Sequence, residues 1–551
     1  MRIKYFLILV FVFVIIYLPL FFGFFQQDEW MAFSGYILAS RSLKDFVYNF
    51  LIPNQPHFVP IGNIVGFLEF EVFRLNYLGY AMVSLVLHFI SGIVLYFLAR
   101  KIFDNKIFAI FTLLVFLFAD YGYQVVSWPA GNLLNQLSVI LVLSCIYFFV
   151  LFLKKSRNIY FWCSWVLLIF SLFCKENGIA FFLMLPIIFY LFSDHKLKKK
   201  YFYPAFIFIT GIFYGISRVI IILETSSVSQ TAVGSQSKFS LFYNLITFPV
   251  KAIAQTFVPV DLELAIAKNL SAILPYGIRP EIGTTAFDIF VQNKMLEILS
   301  FMIFFVLIGV SFRVYRNVKK IEIKRALIFG FIFLILNSFI FALSPDRTGI
   351  ISIIDSRNLY FLTIGSSIIV SVFIYLLFIT RKKWMVAFVI LFFGINFFYL
   401  HQDILSIQMH GSIRKNIIMH IKHDYPRLSR KVIFYTESDT SFYGLPANEK
   451  ILPFQSGFGQ TLLVFYEQEQ NFPSDFFKNN FLWDIGSQGY KEIDGVGFGY
   501  FRDFEALLET IKDNKLSVDS VIAYKYNSQN NMVTDVTRAI RVELAQYEKR
   551  K

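Results

Sequence analysis

Residues 5–30 read YFLILVFVFVIIYLPLFFGFFQQDEW. About twenty apolar residues follow one another here, which is the length that an α-helix needs to cross the hydrocarbon core of a membrane. The segment is too long for the apolar region of a signal peptide and lacks a small-residue cleavage site, so we expect a retained span. It ends at two adjacent carboxylates, Asp28 and Glu29, which could form a helix cap, an ion site or a catalytic base.

The composition indicates a membrane protein with many spans. The 551 residues are 57% hydrophobic and 16% charged, with a mean hydropathy of +0.60. So much apolar surface cannot be buried in one soluble core, and the expected fold class is a polytopic α-helical membrane protein. We predict about eleven helical spans, near residues 5–25, 79–99, 107–126, 133–153, 159–174, 177–193, 202–223, 295–312, 326–344, 359–380 and 384–400.

The formal net charge of +14 follows the same organisation. Basic residues recur in short clusters at every second loop, which is the positive-inside pattern, and they do not gather on one predicted face. The pattern predicts a cytoplasmic amino terminus in the cytoplasmic membrane. We therefore expect the lipid bilayer, and no nucleic acid, as the partner of these charges.

Most of the polar residues outside the spans are predicted to lie on the outer side of the membrane. An odd number of crossings places the tail, residues 401–551, outside, where strand-like segments such as KVIFYT, TLLVFY and SVIAYKY alternate with helical ones and predict a small α/β domain. Residues 1–400 form the predicted transmembrane domain, with long outer loops at 26–78 and 224–294. The three cysteines lie in or beside apolar segments and support neither a disulfide framework nor a metal site.

The first outer loop begins with a predicted helix that carries the acidic pair. Trp30, Phe33 and Ile37 share one face of it, as expected of a helix lying in the membrane interface. Asp28 is suited to be its N-cap, with Glu29 near the positive end of the helix dipole. Neighbours on a helix face different ways, so at most one carboxylate should point at a shared site, and we favour Asp28 because it lies nearest the membrane.

Two further candidate groups lie in the first outer loop. His57, in PNQPHFVPIGN, occupies a proline-rich and hence non-helical segment, where it could be a hydrogen-bonded structural residue or a substrate ligand. Glu69 and Glu71, in GFLEFEVF, diverge on a helix and are interpreted as a solvated or headgroup edge, with Glu69 as a weaker site candidate.

Three short motifs elsewhere carry polar residues at the predicted outer ends of spans. SWPAGN contains Trp128 and Asn132 and is compatible with a turn beside an interfacial tryptophan. CKENG contains Lys175 and Glu176, ionisable groups that are costly in an apolar hairpin unless they are paired or functional. DSRNLYF contains Arg357, which could serve an ordinary ion pair or bind a lipid phosphate bidentately.

The order of these motifs resembles the glycosyltransferase C (GT-C) superfamily, in particular the bacterial relatives of protein O-mannosyltransferases and of lipid A aminoarabinose transferases. The resemblance covers roughly residues 1–400 and rests on the acidic pair after the first span, HFVPIGN, SWPAGN, KENG and DSRNLYF. This chain departs from many relatives at Asn132, where they carry arginine, and at Asn358, where they carry tyrosine.

The resemblance implies catalysis at the outer face with a polyprenyl-linked sugar as donor and a protein, glycan or lipid as acceptor. Asp28 would then be the general base beside Glu29, and Arg357, together with Lys175, would bind the donor phosphate. His57, Trp128, Asn132 and Glu176 are the expected substrate contacts. The enzyme would be an inverting hexosyl- or pentosyltransferase. A divalent metal cofactor stays open, since no ligand cluster in the sequence argues for one.

Two alternatives stay open at this point. A transporter or lipid flippase would also have many spans, but it would favour repeat symmetry and broken helices in both halves of the chain, which the sequence does not display. A catalytically silent scaffold with the same fold is compatible with the departures at Asn132 and Asn358.

Overall fold

A computed structural model of the chain describes residues 3–52, 58–193, 201–224, 238–272, 284–342, 354, 356–441, 450–454, 457–478 and 481–549. Helices account for nearly all regular structure before residue 425, and strands occur after it. The described α-helices are Ile3–Tyr17, Gln27–Arg41, Leu43–Phe50, Pro60–Phe73, Tyr77–Phe103, Lys106–Phe118, Tyr123–Ser127, Pro129–Lys155, Asn158–Cys174, Phe181–Phe192, Phe202–Glu224, Lys238–Ala254, Val260–Ala272, Thr284–Asn317, Ile321–Ala342, Ser356–Leu359, Leu362–Thr380, Lys382–Asp424, Phe458–Gln470, Phe504–Asp513 and Thr537–Lys549.

The helical architecture confirms a multi-pass membrane protein. Each of the eleven predicted spans overlaps at least one helix. Among the described residues, seven helices are long and apolar enough to cross a membrane, or eight if a bent pair counts as one span. Two further apolar segments, Asn158–Cys174 and Glu176–Phe192, are shorter. Many side chains on these helices are exposed aliphatic or aromatic groups, as expected where lipid replaces water.

Two spans differ in shape from the prediction. The third, expected as one helix over 107–126, is bent by 59° between Lys106–Phe118 and Asp120–Ser127. The backbone N–H of Asp120 donates to Asn396 Oδ1 at 3.1 Å, so a side chain takes the place of a helical partner at the break. The last span, expected over 384–400, belongs to a helix of 43 residues that continues to Asp424.

The chain divides into two compact units, each assembled from separate segments. The first unit comprises residues 1–18, 53–66 and 81–404. The second unit comprises residues 19–52, 67–80 and 405–551, so it unites part of the first outer loop with the carboxy-terminal tail.

Within the second unit, the helix Gln27–Arg41 is buried along its apolar face. Trp30 and Phe33 are fully buried, and the Phe33 ring stacks on Phe70 with the ring centroids 5.1 Å apart. Arg41 forms an ion pair with Glu467, and Gln460 Nε2 donates to Ser34 Oγ. The expectation that this face lies in the membrane interface is therefore wrong, because protein side chains cover it.

The tail contains a five-stranded mixed sheet, whose strands are numbered in chain order. The central strand β1 (Lys431–Ser438) is parallel to β3 (Val496–Phe501) and to β4 (Val521–Asn527). The edge strands β2 (Gly489–Ile493) and β5 (Met532–Asp535) pair antiparallel with β3 and β4. The strands lie side by side in the order β2-β3-β1-β4-β5. Helices cover both faces of the sheet, as expected of an α/β domain.

One predicted strand of the tail is a helix. TLLVFY lies within the helix Phe458–Gln470, where Phe458, Leu462 and Tyr466 are buried at a spacing of four residues. A short apolar run does not distinguish a buried strand from a buried helix, and the four-residue spacing places these side chains on one helical face against the sheet. The prediction of a strand was therefore wrong.

Candidate functional site

The acidic pair occupies the first turn of the helix Gln27–Arg41. Gln26 is the N-cap, and its backbone N–H donates to the carboxylate of Glu29, so the expectation that Asp28 caps the helix is wrong. The two carboxylates diverge as adjacent helical residues must: Asp28 is exposed, whereas Glu29 is 0% exposed. The capping contact fixes the turn on which Asp28 stands.

Glu29 lies among buried polar groups of the second unit. Glu69 and Tyr77 are within electrostatic range of its carboxylate, and Tyr77 is also within range of Arg414. Arg414 is 5% exposed, and its Nε donates to the carbonyl oxygen of Phe25 at 3.2 Å. Arg414 thus ties the helix Lys382–Asp424 to the residue just before the acidic turn.

Glu69 corrects the expectation of a solvated edge. It is 8% exposed, and its Oε1 has no hydrogen-bond partner in the described part of the chain. Burial, followed by repulsion from Glu29, raises the pKa of Glu69 to about 9. At neutral pH this carboxyl is therefore protonated beside Glu29. Glu71 instead pairs with Arg74, with Oε2 and Nη2 2.6 Å apart.

In the first unit, the motifs SWPAGN and DSRNLYF meet. The Arg357 guanidinium lies over the Trp128 ring, with Cζ 4.7 Å from the ring centroid. The Arg357 backbone N–H donates to Gln124 Oε1 at 3.2 Å, and the Gln124 backbone N–H donates to Ser356 Oγ at 3.0 Å. A guanidinium over an aromatic ring is attracted by the negative face of the ring, so this contact favours one position of the Arg357 side chain.

Asn132 stabilises the position of Gln124, the residue that contacts Arg357. Its Nδ2 donates to the Gln124 carbonyl oxygen at 3.2 Å, and its Oδ1 accepts from Asn135 Nδ2 at 2.8 Å. Asn132 is therefore a buried positioning residue for Gln124, which in turn holds Arg357. The sequence interpretation missed Gln124, although a glutamine inside the apolar run YQVVSW was a usable signal.

The KENG corner forms the end of a helical hairpin in the same unit. Lys175 follows the helix Asn158–Cys174, and its backbone N–H donates to the Ser171 carbonyl oxygen at 2.9 Å. Glu176 forms an ion pair with Arg218, with Oε1 and Nη2 2.9 Å apart, which satisfies the requirement for pairing in an apolar hairpin.

The structure brings some predicted site residues together, assigns others to different units and does not describe one of them. The helix that follows KENG approaches the DSRNLYF segment, since Phe181 contacts Phe361 with the ring centroids 6.4 Å apart. Asp28 and Glu29 belong to the second unit, whereas the Trp128 and Arg357 contact belongs to the first. His57 lies outside the described residues.

A second acidic group, which the sequence interpretation missed, lies in the first unit. The carboxyl groups of Asp120 and Asp261 are both within hydrogen-bonding reach of Asp403. These residues are far apart in the sequence, so no local motif announces them. Among the described residues, no group of three or more His, Cys, Asp or Glu side chains is arranged to hold a metal ion.

Comparison with known families supports the resemblance seen in the sequence. Residues 60–218, less than a third of the chain, match the family model of the dolichyl-phosphate-mannose-protein mannosyltransferases. The matched segment contains SWPAGN and KENG, and it confirms similarity to GT-C proteins. Among curated proteins, none matches this chain.

Solved structures of membrane transferases are similar at low identity. ArnT from Cupriavidus metallidurans, bound to undecaprenyl phosphate, has 12% identity and a TM-score of 0.48 over 96% of this chain and 94% of its own. The Archaeoglobus fulgidus oligosaccharyltransferase with zinc and sulfate has 11% identity and a TM-score of 0.38 over 82% of this chain and 61% of its own. Similarities of this strength carry no inference about what this chain binds.

Proposed function

We propose that the chain is a GT-C membrane glycosyltransferase that transfers a sugar from a polyprenyl-phosphate-type lipid donor to an acceptor outside the cytoplasm. The observation that carries the proposal is the contact between Arg357 and Trp128, which unites two motifs at the predicted outer ends of spans. The family match over residues 60–218 supports the same reaction class. The acceptor would be a protein or a cell-surface glycan or lipid.

Arg357 has the chemistry required at the leaving group. When the sugar leaves its carrier, negative charge develops on the phosphate, and a preoriented guanidinium stabilises that charge. The Trp128 ring restricts the guanidinium and Gln124 holds the backbone of Arg357, so little reorganisation is needed when the bond breaks. Lys175 is the second cation that we assign to the donor phosphate.

Asp28 has the chemistry required at the acceptor. In the proposed step the acceptor oxygen forms a bond to the anomeric carbon, the bond from that carbon to the phosphate oxygen breaks, and the acceptor proton passes to the Asp28 carboxylate. Displacement from the opposite side inverts the anomeric configuration, and the phosphate leaves as an anion without a protonating acid. Glu29 acts in this proposal by holding the turn that carries Asp28.

The proposed orientation follows from the basic clusters. With the amino terminus in the cytoplasm, the transmembrane domain (residues 1–400) opens its two long loops to the outside of the cytoplasmic membrane, and the tail (residues 401–551) lies there as an extracytoplasmic domain. The acidic pair, Lys175 and Arg357 are then all at the outer ends of their segments. This arrangement supports transfer to an extracytoplasmic acceptor.

The proposal is tested in a strain that lacks the protein. Mass spectrometry of surface glycans and glycoproteins should reveal loss of one defined sugar, which the wild-type chain restores and Asp28→Asn does not. Asp513→Asn, an exposed carboxylate of the tail, is the matched control and should restore the sugar fully. Membrane levels of each variant are measured by immunoblotting.

Two outcomes would overturn parts of the proposal. Restoration by Asp28→Asn at wild-type levels would remove Asp28 from the role of base. Movement of a polyprenyl-linked sugar across proteoliposomes by the purified chain, without transfer to any acceptor, would favour a flippase.

A further inference from the structure

A polar crevice opens in the tail at the carboxyl ends of two neighbouring parallel strands, β1 and β3. It has a volume of about 530 Å³ and is lined by residues 435–438, Lys450, Gln488, Arg502 and Asp503. We name it the β1–β3 crevice. Its volume is within the range of small-molecule sites.

The connectivity of the sheet explains why the crevice lies there. The chain that leaves β1 enters the helix Phe458–Gln470 on one face of the sheet, where Phe434 contacts Tyr466 with the ring centroids 6.2 Å apart. The chain that leaves β3 enters the helix Phe504–Asp513 on the other face, where Leu507 packs in one cluster with Tyr435. Adjacent strands whose connections leave to opposite faces form a topological switch point, the place where open α/β sheets bind ligands.

The backbone at the mouth of the crevice is fixed by one glutamine. Gln488 Oε1 accepts from the backbone N–H groups of both Arg502 and Asp503, each at 3.2 Å. The turn after β3 is therefore held in place before any ligand arrives, which lowers the entropic cost of binding.

The two acidic side chains that line the crevice, Glu437 and Asp503, already contact other groups of the chain. Asp503 Oδ1 accepts from the Ala506 backbone N–H at 2.8 Å and caps the helix that follows. Glu437 Oε2 lies 3.4 Å from Lys525 Nζ. These contacts reduce the capacity of the two carboxylates to neutralise a cation within the crevice.

Two cationic side chains also line the crevice. Lys450 is exposed and forms no ion pair with any described residue. Arg502 donates from Nη2 to the Gly486 carbonyl oxygen at 3.5 Å. Its planar fork is suited to phosphate or carboxylate oxygens, and such charge-assisted hydrogen bonds are stronger than neutral ones. The described lining residues are mostly polar, so a hydroxyl-rich anion fits them best.

We propose that the β1–β3 crevice binds a short anionic saccharide and is the acceptor-recognition site of the chain. The claim that the crevice binds a saccharide depends only on the crevice itself. The claim that this saccharide is the acceptor rests on the proposed glycosyltransferase function. The anionic group on the saccharide is a phosphate or a carboxylate, and Arg502 and Lys450 are its contacts.

Binding is measured by calorimetry on the full-length chain in detergent. The probes are a mannose trisaccharide bearing one phosphate, trigalacturonic acid, neutral maltotriose and inorganic phosphate. We expect at least one of the two anionic saccharides to bind, and the one with the higher affinity identifies the anionic group. Neutral maltotriose and inorganic phosphate should each bind at least about tenfold more weakly than that saccharide. If inorganic phosphate binds with the same affinity as the preferred anionic saccharide, the saccharide assignment is overturned.

Charge variants locate the binding. Arg502→Gln should weaken binding of the preferred saccharide by about tenfold or more and Lys450→Gln by a smaller factor, whereas Lys512→Gln, an exposed lysine on the adjacent helix, should have no effect. Thermal unfolding of each variant verifies that the tail is folded. Unchanged binding in both crevice variants, or no binding of either anionic saccharide, would overturn the proposal.

Failure of the crevice and failure of the proposed function can be told apart. Asp28→Asn should bind the preferred saccharide as the wild type does, because Asp28 does not line the crevice. If Arg502→Gln restores the missing surface sugar completely in the deletion strain, the crevice is not the acceptor site even though transfer occurs. If binding is found but the deletion strain loses no sugar, the crevice stands and the transferase function falls.

Discussion

Replacing Glu69 by glutamine should stabilise the protein above neutral pH and flatten the dependence of its stability on pH. The wild-type carboxyl is buried beside Glu29, and its pKa is raised to about 9 from an ordinary value of 4.5. Between these two values the folded state keeps the proton and the unfolded state releases it. Stability contributed by this group is therefore fully present below about pH 4.5 and is lost as the pH rises toward 9.

The size of the effect follows from the shift. Each pH unit within the window changes the free energy of unfolding by about 1.36 kcal/mol, so the wild type should lose about 2.7 kcal/mol from this group between pH 6 and pH 8. Glutamine has nearly the same shape and no proton to release. The difference in stability between Glu69→Gln and the wild type should thus shift by about 2.7 kcal/mol in favour of the variant, or ~5–10 °C in Tm for a unit of this size.

The assay is thermal unfolding followed by tryptophan fluorescence in detergent at pH 6, 7 and 8. Glu71→Gln is the matched control, because the Glu71 side chain is 31% exposed and is paired with Arg74. It should follow the wild-type pH dependence. Parallel pH profiles for Glu69→Gln and the wild type would refute the idea that a protonated carboxyl is buried at this position.

Three further predictions concern the candidate site and the tail. Arg357→Lys keeps the positive charge but loses the planar guanidinium, so turnover of a polyprenyl-linked sugar in proteoliposomes should fall by about tenfold to a hundredfold. The control is Arg381→Lys, at an exposed arginine, and it should leave turnover unchanged. Gly457→Ala should lower the Tm of the tail, at a cost of about 1–3 kcal/mol, since φ is +55° there and a Cβ would clash with a backbone carbonyl oxygen; an unchanged Tm would contradict this. Burial raises the pKa of Glu467 to about 7 against the opposing effect of Arg41, and loss of Arg41 should raise this pKa further. Arg41→Met should therefore destabilise the protein by up to about 1.4 kcal/mol more at pH 8, where the wild-type carboxylate is ionised beside Arg41, than at pH 6. Equal losses at both pH values would contradict it.

The spans could be predicted from the sequence because the bilayer imposes a length of about twenty apolar residues on each helix. Breaks inside spans could not. The bend at Asp120 depends on Asn396, which is 276 residues away in the sequence and reaches its backbone only in the folded chain.

The hairpin of β2 and β3 was missed although it has a local signal. Asp494 and Gly495 both have positive φ, at 53° and 75°, as a type I′ turn requires. An Asp-Gly pair between GYKEI and VGFGYF could have revealed the two strands. TLLVFY, in contrast, is ambiguous from its composition alone.

Site residues within a family motif could be predicted from the sequence. Residues whose position depends on contacts between distant parts of the chain could not. Trp128 and Arg357 were singled out from their motifs, and the structure brings them into contact. Arg414 was missed because the last span was expected to end near residue 400. The burial of Glu69 depends on rings and helices from elsewhere in the second unit, so its neighbours in the sequence suggested a solvated edge.

The discontinuous second unit has a consequence for how the protein is made. Arg41 and Glu467 are 426 residues apart, as are Ser34 and Gln460. At a synthesis rate of about 5–20 residues per second, the helix that carries Asp28 waits roughly 20–85 s for these partners to leave the ribosome. During that interval the spans can insert while Trp30 and Phe33 lack their later cover. A ribosome that stops within the tail would therefore release a correctly inserted membrane protein whose acidic turn is unsupported, and quality control has a long window in which to recognise it.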